Sequence, residues 1–311
     1  MRVFVTRRLP GDAVERLGEH DVEVWPESMP PGRDVLLARA PKLHGLLALL
    51  TDPVDADVIG AAPSLRAISN YAVGVDNVEV AAATERGIPV GNTPGVLTDS
   101  TADLALALML GIGRRVAEGD AYVRRGDWRT WDPGLLLGRD LHGATVGLVG
   151  FGRIGRAVAR RVEGFGCEVL YTSRRGGVGL DELLERSDFV TLHAPLTPET
   201  RGLIDAAALR RMKPTAYLIN TARGPMVDTN ALAAALHAGE IAGAALDVTD
   251  PEPLPGDHPL LDAPRLLVVP HIASATHATR ERMADMAVDN LLAGLAGERM
   301  PNCVNPEVYE R

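Results

Sequence analysis

The stretch TVGLVGFGRIGRAVARRVEGFG, at 145–166, joins a short apolar segment to a helical pattern through closely spaced glycines. Its centre, GFGRIG, has the G-x-G-x-x-G spacing of a dinucleotide-binding turn. In such a turn Gly150 allows the tight bend, Gly152 lets the backbone approach a pyrophosphate, and Gly155 lets the helix pack closely on its strand. The unpaired N–H groups of the helix then face the phosphates. The stretch therefore predicts a nucleotide-binding βαβ unit rather than a merely structural glycine turn.

Short apolar segments alternate with helical segments on both sides of this unit, which is typical of parallel sheets covered by helices. With 311 residues, the chain is long enough for two domains of ordinary size. Strands are predicted at Val3–Thr6, Val22–Trp25, Gly45–Leu49, Ala67–Asn70, Ile88–Gly91, Thr145–Val149, Glu168–Tyr171, Phe189–His193, Tyr217–Asn220, Ala244–Val248 and Leu266–Val269. Helices are predicted at Ala13–Glu19, Ala56–Ala61 and Thr279–Leu295. The pattern predicts an α/β protein with two doubly wound parallel sheets.

A long apolar helix is predicted between the two series of strands, in TDSTADLALALMLGIGRRVAEGDAYVRRG, with Asp99 or Ser100 as its cap. Its apolar middle, Leu104–Leu110, is more continuous than a surface helix needs, which favours a place between domains or subunits. An irregular arm with Trp128 and Trp131 follows. Because exposed tryptophans are costly and commonly anchor interfaces, the arm predicts a homodimer.

The composition, with 46% hydrophobic and 23% charged residues, is that of a globular protein. A net charge of −9 gives no support to binding of nucleic acid or an anionic membrane, because either needs an excess of basic residues. No apolar segment approaches the ~20 residues that span a bilayer, and MRVFVTRRLP lacks the pattern of a signal peptide, so we expect a cytoplasmic location. Cys167 and Cys303 lie far apart and the histidines lack paired spacing, so no metal site is expected.

The end of the second strand of the glycine unit departs from the usual dinucleotide pattern. An acid ~20 residues beyond the glycines normally binds the ribose of NAD and would repel a 2′-phosphate. In VLYTSRRGG, at 169–177, that place holds Ser173, followed by Arg174 and Arg175. A hydroxyl and two guanidinium groups suit a phosphate, so NADP(H) is the expected cofactor, with NAD(H) as the alternative. The other interpretation is that both arginines are surface residues that only face water.

Three further segments follow strands of the second series: TARGPMVD around Arg223, LDVTDPEPLP around Glu252 and VVPHIASATH around His271. Ligands of doubly wound sheets gather at these strand ends. Together the three side chains suit carbonyl reduction, because one anchors an anion and polarises the oxygen, one delivers a proton, and one keeps the proton carrier charged. Taken singly, they are equally consistent with a structural ion pair, a solvated acid and a core histidine.

The combination of these motifs with AVGVDN at 72–77 and NTPGVLTDSTADLALAL at 92–108 resembles the D-2-hydroxyacid dehydrogenase family over essentially the whole chain. Within that family, the sequence is most similar to the glyoxylate/hydroxypyruvate reductases. The resemblance implies a flavodoxin-like substrate domain of residues 1–98 and 281–311. A Rossmann nucleotide-binding domain, residues 99–280, would be inserted into it and would include a dimerisation helix and arm at 99–140. The implied reaction is NADPH-dependent reduction of small 2-keto acids, glyoxylate and hydroxypyruvate first.

Position by position, the resemblance implies that His271 is the proton donor, that Glu252 pairs with it, and that Arg223 binds the substrate carboxylate and carbonyl. It further implies that the backbone N–H groups of Val73 and Gly74 hold the carboxylate. The other implied substrate contacts are Ser274 and, across the dimer, Trp131. The implied cofactor contacts are Gly150, Gly152, Arg153, Ile154, Gly155, Ser173, Arg174, Arg175, His193, Pro195, Thr221, Ala222, Asp247 and Ala273. Ala273 stands where the family commonly has glycine, which would narrow the space beside the nicotinamide.

Two other functions share parts of this pattern. A phosphoglycerate- or phosphite-type dehydrogenase has the same motifs, but the former commonly carries an added regulatory domain and basic residues for its substrate phosphate. A corepressor-like member uses the fold as a dinucleotide-sensing scaffold and carries long disordered extensions. Because neither addition is evident in the 311 residues, the reductase is the favoured interpretation.

Overall fold

The computed structural model describes residues 1–310, which form twelve strands and ten α-helices. The strands are β1 (Arg2–Val5), β2 (Asp21–Val24), β3 (Gly45–Ala48), β4 (Ala67–Asn70), β5 (Val90–Gly91), β6 (Thr145–Val149), β7 (Glu168–Ser173), β8 (Gly176–Gly177), β9 (Phe189–Leu192), β10 (Tyr217–Asn220), β11 (Gly243–Leu246) and β12 (Leu266–Val268). The helices are α1 (Arg33–Arg39), α2 (Ala56–Gly60), α3 (Val80–Glu85), α4 (Thr98–Gly113), α5 (Val116–Arg124), α6 (Arg153–Glu163), α7 (Leu180–Arg186), α8 (Ala206–Arg211), α9 (Thr229–Ala238) and α10 (His277–Ala296).

The chain divides into two compact units. The first comprises Met1–Leu97 together with the segment from Ala275 onward, and the second comprises Thr98–Ser274. Arg311, where the expected substrate domain ends, lies outside the described residues.

The first unit contains a five-stranded parallel sheet in the order β2-β1-β3-β4-β5. This is the flavodoxin-like order 2-1-3-4-5. Strands β3 and β4 are buried along their whole length, as parallel strands covered by helices are. The flavodoxin-like fold expected from the sequence is confirmed.

Helix α10 covers one face of this sheet. The buried cluster that it forms includes Val3, Leu47, Met283, Ala287 and Leu291. The helix comes so close to the edge of the sheet that a Cβ on Gly91 would lie 2.7 Å from the Cβ of Asn290. Only glycine therefore fits at that position of β5.

A buried carboxylate joins the ends of β1 and β3 in the same unit. Asp52 is fully buried and accepts hydrogen bonds from the hydroxyl of Thr6 and, at 2.6 Å, from the backbone N–H of Leu49. Burial raises the pKa of Asp52, and these hydrogen bonds oppose the rise. The carboxyl thus fixes the loop that follows β3.

The second unit contains a seven-stranded sheet in the order β12-β11-β10-β9-β6-β7-β8. All strands are parallel except β8, which pairs antiparallel with β7. Counted from β6, this is the Rossmann order 3-2-1-4-5-6 with one added strand. The order reverses between β6 and β9, and ligands of such sheets bind outside the strand ends at that point. The Rossmann fold expected from the sequence is confirmed.

Helix α4 packs against α6, β10 and β11 within the second unit. It begins at Thr98, so Asp99 and Ser100 lie inside its first turn and the expected cap is wrong. The carboxylate of Asp99 instead accepts a hydrogen bond from Arg161 of α6 at 3.1 Å. The predicted long helix also divides in two, because the chain turns at Arg115, whose φ is 54°.

Most strands begin and end within two residues of the predicted bounds. Three segments differ from the predictions. The segment predicted as a helix at Ala13–Glu19 is a 3₁₀ turn, Ala13–Leu17. Strand β5 starts at Val90 rather than Ile88, because Pro89 has no N–H for the ladder. Strand β8, only two glycines long, was too short to give a hydrophobic pattern.

Candidate active site and cofactor cavity

The glycine turn connects β6 to α6 where the strand order reverses. Gly150 has a φ of 99°, and a Cβ there would lie 2.6 Å from the backbone N of Ala194. A Cβ on Gly155 would collide with the carbonyl oxygen of Gly150, whereas nothing lies within 4 Å of a Cβ on Gly152. The turn is therefore closed by backbone on two sides and open at Gly152, beside the N–H groups that begin α6 and favour an anion.

A cavity of about 810 Å³ lies over this turn within the second unit. It includes seven of the expected cofactor residues: Gly150, Gly152, Ser173, Arg174, Arg175, His193 and Pro195. Arg153, Ile154 and Gly155 belong to the same turn and to the start of α6 but do not line the cavity. Four other expected contacts, at the ends of β10, β11 and β12, also lie outside it: Thr221, Ala222, Asp247 and Ala273.

The two arginines at the end of β7 project from a tight hairpin turn. The hydroxyl of Ser173 donates to the carbonyl of Gly176 at 2.9 Å and accepts from the backbone N–H of Arg175 at 3.2 Å. That hydroxyl therefore already donates its proton within the turn, whereas the guanidinium groups of Arg174 and Arg175 line the cavity. Both side chains are exposed, and neither forms an ion pair within residues 1–310.

An acid lies on the cavity wall near these arginines. Glu199 follows β9, and its pKa is lowered, first by a hydrogen bond with Thr197 and to a lesser degree by the positive charge of Arg174. The sequence interpretation did not include this residue. A bound anion would therefore compete with Glu199 for Arg174.

A third guanidinium in the cavity was also missed from the sequence. Arg156, in the first turn of α6, lines the cavity and lies 4.8 Å from the ring centroid of Phe151. Phe151 in turn stacks on Tyr171, with ring centroids 4.1 Å apart. A sequence signal existed, because Arg156 lies one helical turn after Arg153. The cavity thus combines an aromatic wall with three arginines.

His193 lies at the end of β9 and faces the cavity. Burial lowers its pKa to about 3, and its Nε2 is 2.9 Å from the hydroxyl of Thr191. The imidazole is therefore neutral at ordinary pH, which suits a wall residue rather than a proton donor.

The carboxylate of Glu252 and the imidazole of His271 form a direct pair. Nδ1 of His271 donates to Oε1 of Glu252 at 2.5 Å, which leaves Nε2 as the ring nitrogen available to a ligand. His271 follows β12 and its backbone has a φ of 52°. Residues other than glycine rarely adopt this left-handed conformation. Such strain at a polar, half-buried residue is typical of functional sites.

Asp247, at the end of β11, holds the backbone that carries His271. Its buried carboxylate accepts hydrogen bonds from the N–H groups of Ile272 at 2.6 Å and Ala273 at 3.0 Å. Its carbonyl accepts from the N–H of His271 at 2.9 Å. Burial raises the pKa of Asp247, and these N–H groups oppose the rise. Asp247 therefore supports the turn that orients His271.

Arg223 lies in the loop after β10, beside the loop that carries Glu252. The side chain of Asn220 folds this loop, because it donates to the carbonyl of Arg223 at 2.9 Å and accepts from the N–H of Ala222 at 3.0 Å. A Cβ on Gly224 would collide with the carbonyl of Thr249, so the two loops touch through their backbones. Since β10, β11 and β12 are neighbours, their ends bring Arg223, Glu252 and His271 to one edge of the sheet.

The remaining expected substrate residues lie in other segments. Val73 and Gly74 follow β4 in the first unit, and the Val73 side chain is exposed. Ser274 is the last residue of the second unit. Trp131, in the arm after α5, has 78% of its surface exposed, and Trp128 has 59%. The arm therefore presents two uncovered indole rings.

Three features of the second unit fit a nicotinamide dinucleotide. The turn is open at Gly152, arginines line the cavity, and the Oγ1 of Thr221 is buried at the end of β10 with no hydrogen-bond partner among the described residues. Within residues 1–310 no group of three or more His, Cys, Asp and Glu side chains is arranged to hold a metal ion. In the same range no helix has the length and apolarity to cross a membrane.

Comparison with known proteins gives the family. Residues 106–273 match the NAD binding domain of the D-isomer specific 2-hydroxyacid dehydrogenases. The chain is 51% identical to a glyoxylate reductase of Korarchaeum cryptofilum, over 99% of this chain and 97% of that protein. It also superposes on the TT0316 protein from Thermus thermophilus with a TM-score of 0.93 and 52% identity, covering 98% of this chain and 100% of the other.

A third relative was solved with ligands. It is an NADPH-dependent glyoxylate/hydroxypyruvate reductase from Sinorhizobium meliloti, in complex with NADP and malonate. Its TM-score is 0.85 at 35% identity, covering 98% of this chain and 97% of the other. The protein described here belongs to the D-isomer specific 2-hydroxyacid dehydrogenase family. It is an oxidoreductase of 2-hydroxy and 2-keto acids that uses a nicotinamide dinucleotide, as the sequence predicted.

Proposed function

We propose that this enzyme reduces glyoxylate to glycolate and hydroxypyruvate to D-glycerate with NADPH. The observation that carries the proposal is the 2.5 Å pair of His271 and Glu252, on the strand ends that also carry Arg223. A histidine with Nδ1 held by a carboxylate is suited to give a proton from Nε2 to a carbonyl oxygen. The names of the relatives in Korarchaeum cryptofilum and Sinorhizobium meliloti support the choice of keto acid.

The chain's own groups divide the remaining tasks. When bound, the cofactor supplies a hydride to the carbonyl carbon. His271 gives the matching proton to the carbonyl oxygen, and Glu252 stabilises the charged imidazole before the transfer. Arg223 and the N–H groups of Val73 and Gly74 bind the substrate carboxylate. Ser274 and Trp131 complete the proposed substrate contacts.

The proposed cofactor contacts follow the cavity and the strand ends around it. The glycine turn with Arg153 and Ile154 holds the pyrophosphate at the start of α6. Thr221, Ala222, Asp247 and Ala273, which follow β10, β11 and β12, would contact the cofactor at the strand ends, and His193 and Pro195 would contact it in the cavity.

The preference for NADPH is supported by charge. A 2′-phosphate adds negative charge to the ligand, and the cavity contains Arg156, Arg174 and Arg175 against the single acid Glu199. Charged hydrogen bonds of this kind contribute about 1.5 to 3 kcal/mol each. Because cells usually keep the NADPH pool reduced, we propose that the enzyme works in the direction of reduction.

The domain roles are part of the proposal. Residues 1–98 with 281–311 act as the substrate domain, and residues 99–280 act as the nucleotide domain. The helix and arm at 99–140 form a homodimer, for which the exposed indoles of Trp128 and Trp131 give the surface.

A substrate panel tests the proposed function. Glyoxylate, hydroxypyruvate, pyruvate and phosphohydroxypyruvate are each assayed with NADPH and with NADH by the loss of absorbance at the reduced nicotinamide band. We expect the highest kcat/KM for glyoxylate and hydroxypyruvate with NADPH. A preference for phosphohydroxypyruvate, or for NADH with every acid, would replace the proposal by another member of the family.

A further inference from the structure

Three successive carbonyl groups in the loop after β4 accept hydrogen bonds from outside the loop. The carbonyl of Ala72 accepts from the backbone N–H of Thr93 at 2.9 Å. The carbonyl of Val73 accepts from the side-chain amide of Asn92 at 2.8 Å. The carbonyl of Gly74 accepts from the side-chain amide of Asn70 at 2.9 Å. The orientation of three consecutive peptide planes is therefore fixed.

These bonds also decide where the N–H groups of the loop point. In a trans peptide the N–H is directed opposite to the carbonyl of the preceding residue. The carbonyls of Ala72 and Val73 both point toward the adjacent residues Asn92 and Thr93. The N–H groups of Val73 and Gly74 therefore both point away from that segment, to the same side of the loop. Neither N–H has a hydrogen-bond partner within residues 1–310.

Asn92 is itself held in place on both sides. Its backbone N–H donates to the carbonyl of Asn302 at 3.1 Å, and its carbonyl accepts from the side chain of Asn290 at 2.8 Å. Asn290 lies on α10 and is fully buried. The amide that orients the Val73 carbonyl is thus attached to the core of the first unit.

Asn70 is held by a second amide, that of Asn77. The two side chains exchange hydrogen bonds at 3.0 and 3.3 Å. Asn77 also donates to the carbonyls of Leu49 at 2.8 Å and Asp52 at 3.0 Å. Because Asn70 and Asn77 flank the loop, their exchange closes it at its base. The pair of Asn70 and Asn77 therefore fixes the two ends of the loop, and Asn92 fixes the carbonyl of Val73 within it.

We propose that Asn92 is a positioning residue that, beside the backbone N–H of Thr93, preorganises the N–H groups of Val73 and Gly74 as a binding site for the carboxylate of the substrate. Two parallel N–H donors that need not reorganise bind an anion far better than donors that must first turn. The chemical nature of the anion rests on the proposed function, whereas the positioning by Asn92 rests on the geometry of the first unit alone.

Two substitutions of Asn92 test whether the amide of its side chain is needed. Asn92→Ala removes the donor and frees the peptide plane between Val73 and Gly74. Asn92→Asp keeps the shape but cannot donate when ionised, and it adds negative charge beside the anion site. A carboxylate contact that is equal in the ground and transition states affects KM rather than kcat. Both variants should therefore weaken substrate binding, and Asn92→Asp should do so more strongly.

A matched control exists in the same unit. Asn305 is buried and braces the same strand, because it accepts from the N–H of Val90 at 2.8 Å and donates to the carbonyl of Ile88 at 3.0 Å. It makes no bond to the loop at 72–76. Asn305→Asp changes one amide to a carboxylate next to β5, as Asn92→Asp does, and should lower thermal stability without changing anion binding.

The test measures the Kd of oxamate for the NADPH-bound protein by titration calorimetry, together with KM and kcat for glyoxylate. We expect Asn92→Ala to raise both the Kd and the KM about 10-fold, with kcat and the Kd of NADPH within about twofold of wild type. Asn305→Asp should keep the oxamate Kd of wild type. Wild-type KM and oxamate Kd in Asn92→Ala, or a loss confined to kcat, would overturn the positioning role.

The two proposals fail in different ways. If the wild type reduces no keto acid but binds oxamate in a manner that depends on Asn92, the proposed function falls and the positioning role stands. If the wild type reduces glyoxylate and Asn92→Ala binds oxamate normally, the function stands and the positioning role falls. Wild-type protein that binds no oxamate at all would refute the anion site itself.

Discussion

Nδ1 of His271 lies 2.5 Å from Oε1 of Glu252, although 19 residues separate them in the chain. The contact exists because β11 and β12 are neighbours, and the buried carboxylate of Asp247 holds the turn after β12. The pair fixes which imidazole nitrogen remains available. It is the structural basis of the proposed proton transfer.

Replacement of Glu252 by glutamine should slow reduction. The carboxylate accepts a hydrogen bond from Nδ1 of His271 and stabilises the charged imidazole that donates the proton. Glutamine keeps the shape of the side chain but not its charge, so kcat/KM should fall about 10-fold. Asp257→Asn, an exposed change in the same loop, should leave kcat/KM at the wild-type value. A wild-type kcat/KM in Glu252→Gln would show that the pair does not control the donor.

The double change of Arg174 and Arg175 to alanine should weaken NADPH far more than NADH. Each lost charged hydrogen bond to the 2′-phosphate should cost about 1.5 to 3 kcal/mol of binding free energy. Direct titration of both cofactors measures the difference. Arg160→Ala, on the exposed side of α6 and outside the cavity, serves as the matched control. Equal losses for the two cofactors would exclude these arginines as the phosphate site.

Burial raises the pKa of Asp52 in the folded protein, so the free energy of unfolding should depend on pH. A carboxyl whose pKa is higher in the folded state favours folding most strongly below its unfolded pKa. That contribution is lost as the pH rises through the folded pKa. Asp52→Asn keeps an oxygen for Thr6 and Leu49 and carries no charge. Its free energy of unfolding should therefore rise relative to that of wild type as the pH increases from acid to neutral.

Denaturant melts at several pH values measure this difference for the unit that contains Asp52. The exposed change Asp34→Asn on α1 should show no comparable trend. A constant difference between wild type and Asp52→Asn across the pH range would mean that this carboxyl titrates alike in the folded and unfolded chain.

Trp131 should act on the active site of the other subunit in the proposed dimer. Trp131→Ala should raise KM about 10-fold and alter the ratio of hydroxypyruvate to glyoxylate turnover, with NADPH affinity nearly unchanged. Trp128→Ala is the control from the same arm. A mixed dimer can be formed from a His271→Ala chain and a Trp131→Ala chain. Only the Trp131→Ala chain then keeps His271, and only the His271→Ala chain keeps Trp131. If the arm crosses, the site with His271 receives an intact Trp131 and should behave as wild type; Trp131→Ala kinetics there would place the tryptophan within its own subunit.

The fold could be predicted because its signals are local. The apolar segments mark the strands, and the spacing of Gly150, Gly152 and Gly155 marks the turn between β6 and α6. What the sequence did not reveal depends on distant contacts. Three such features depend on tertiary neighbours: the hydrogen bonds between the side chains of Asn70 and Asn77, the position of Glu199 near Arg174, and the contact of Asp99 with Arg161. Ser173 was identified by position, but its use within the hairpin appears only in three dimensions.

The most direct test of His271 as the proton donor compares wild type with His271→Ala in two measurements on the same preparations. The first is the steady-state oxidation of NADPH by glyoxylate, and the second is the Kd of NADPH by fluorescence titration. We expect kcat to fall by about 100-fold or more while the Kd of NADPH is unchanged. A variant that keeps the wild-type rate of glyoxylate reduction would contradict His271 as the proton donor and with it the proposed mechanism.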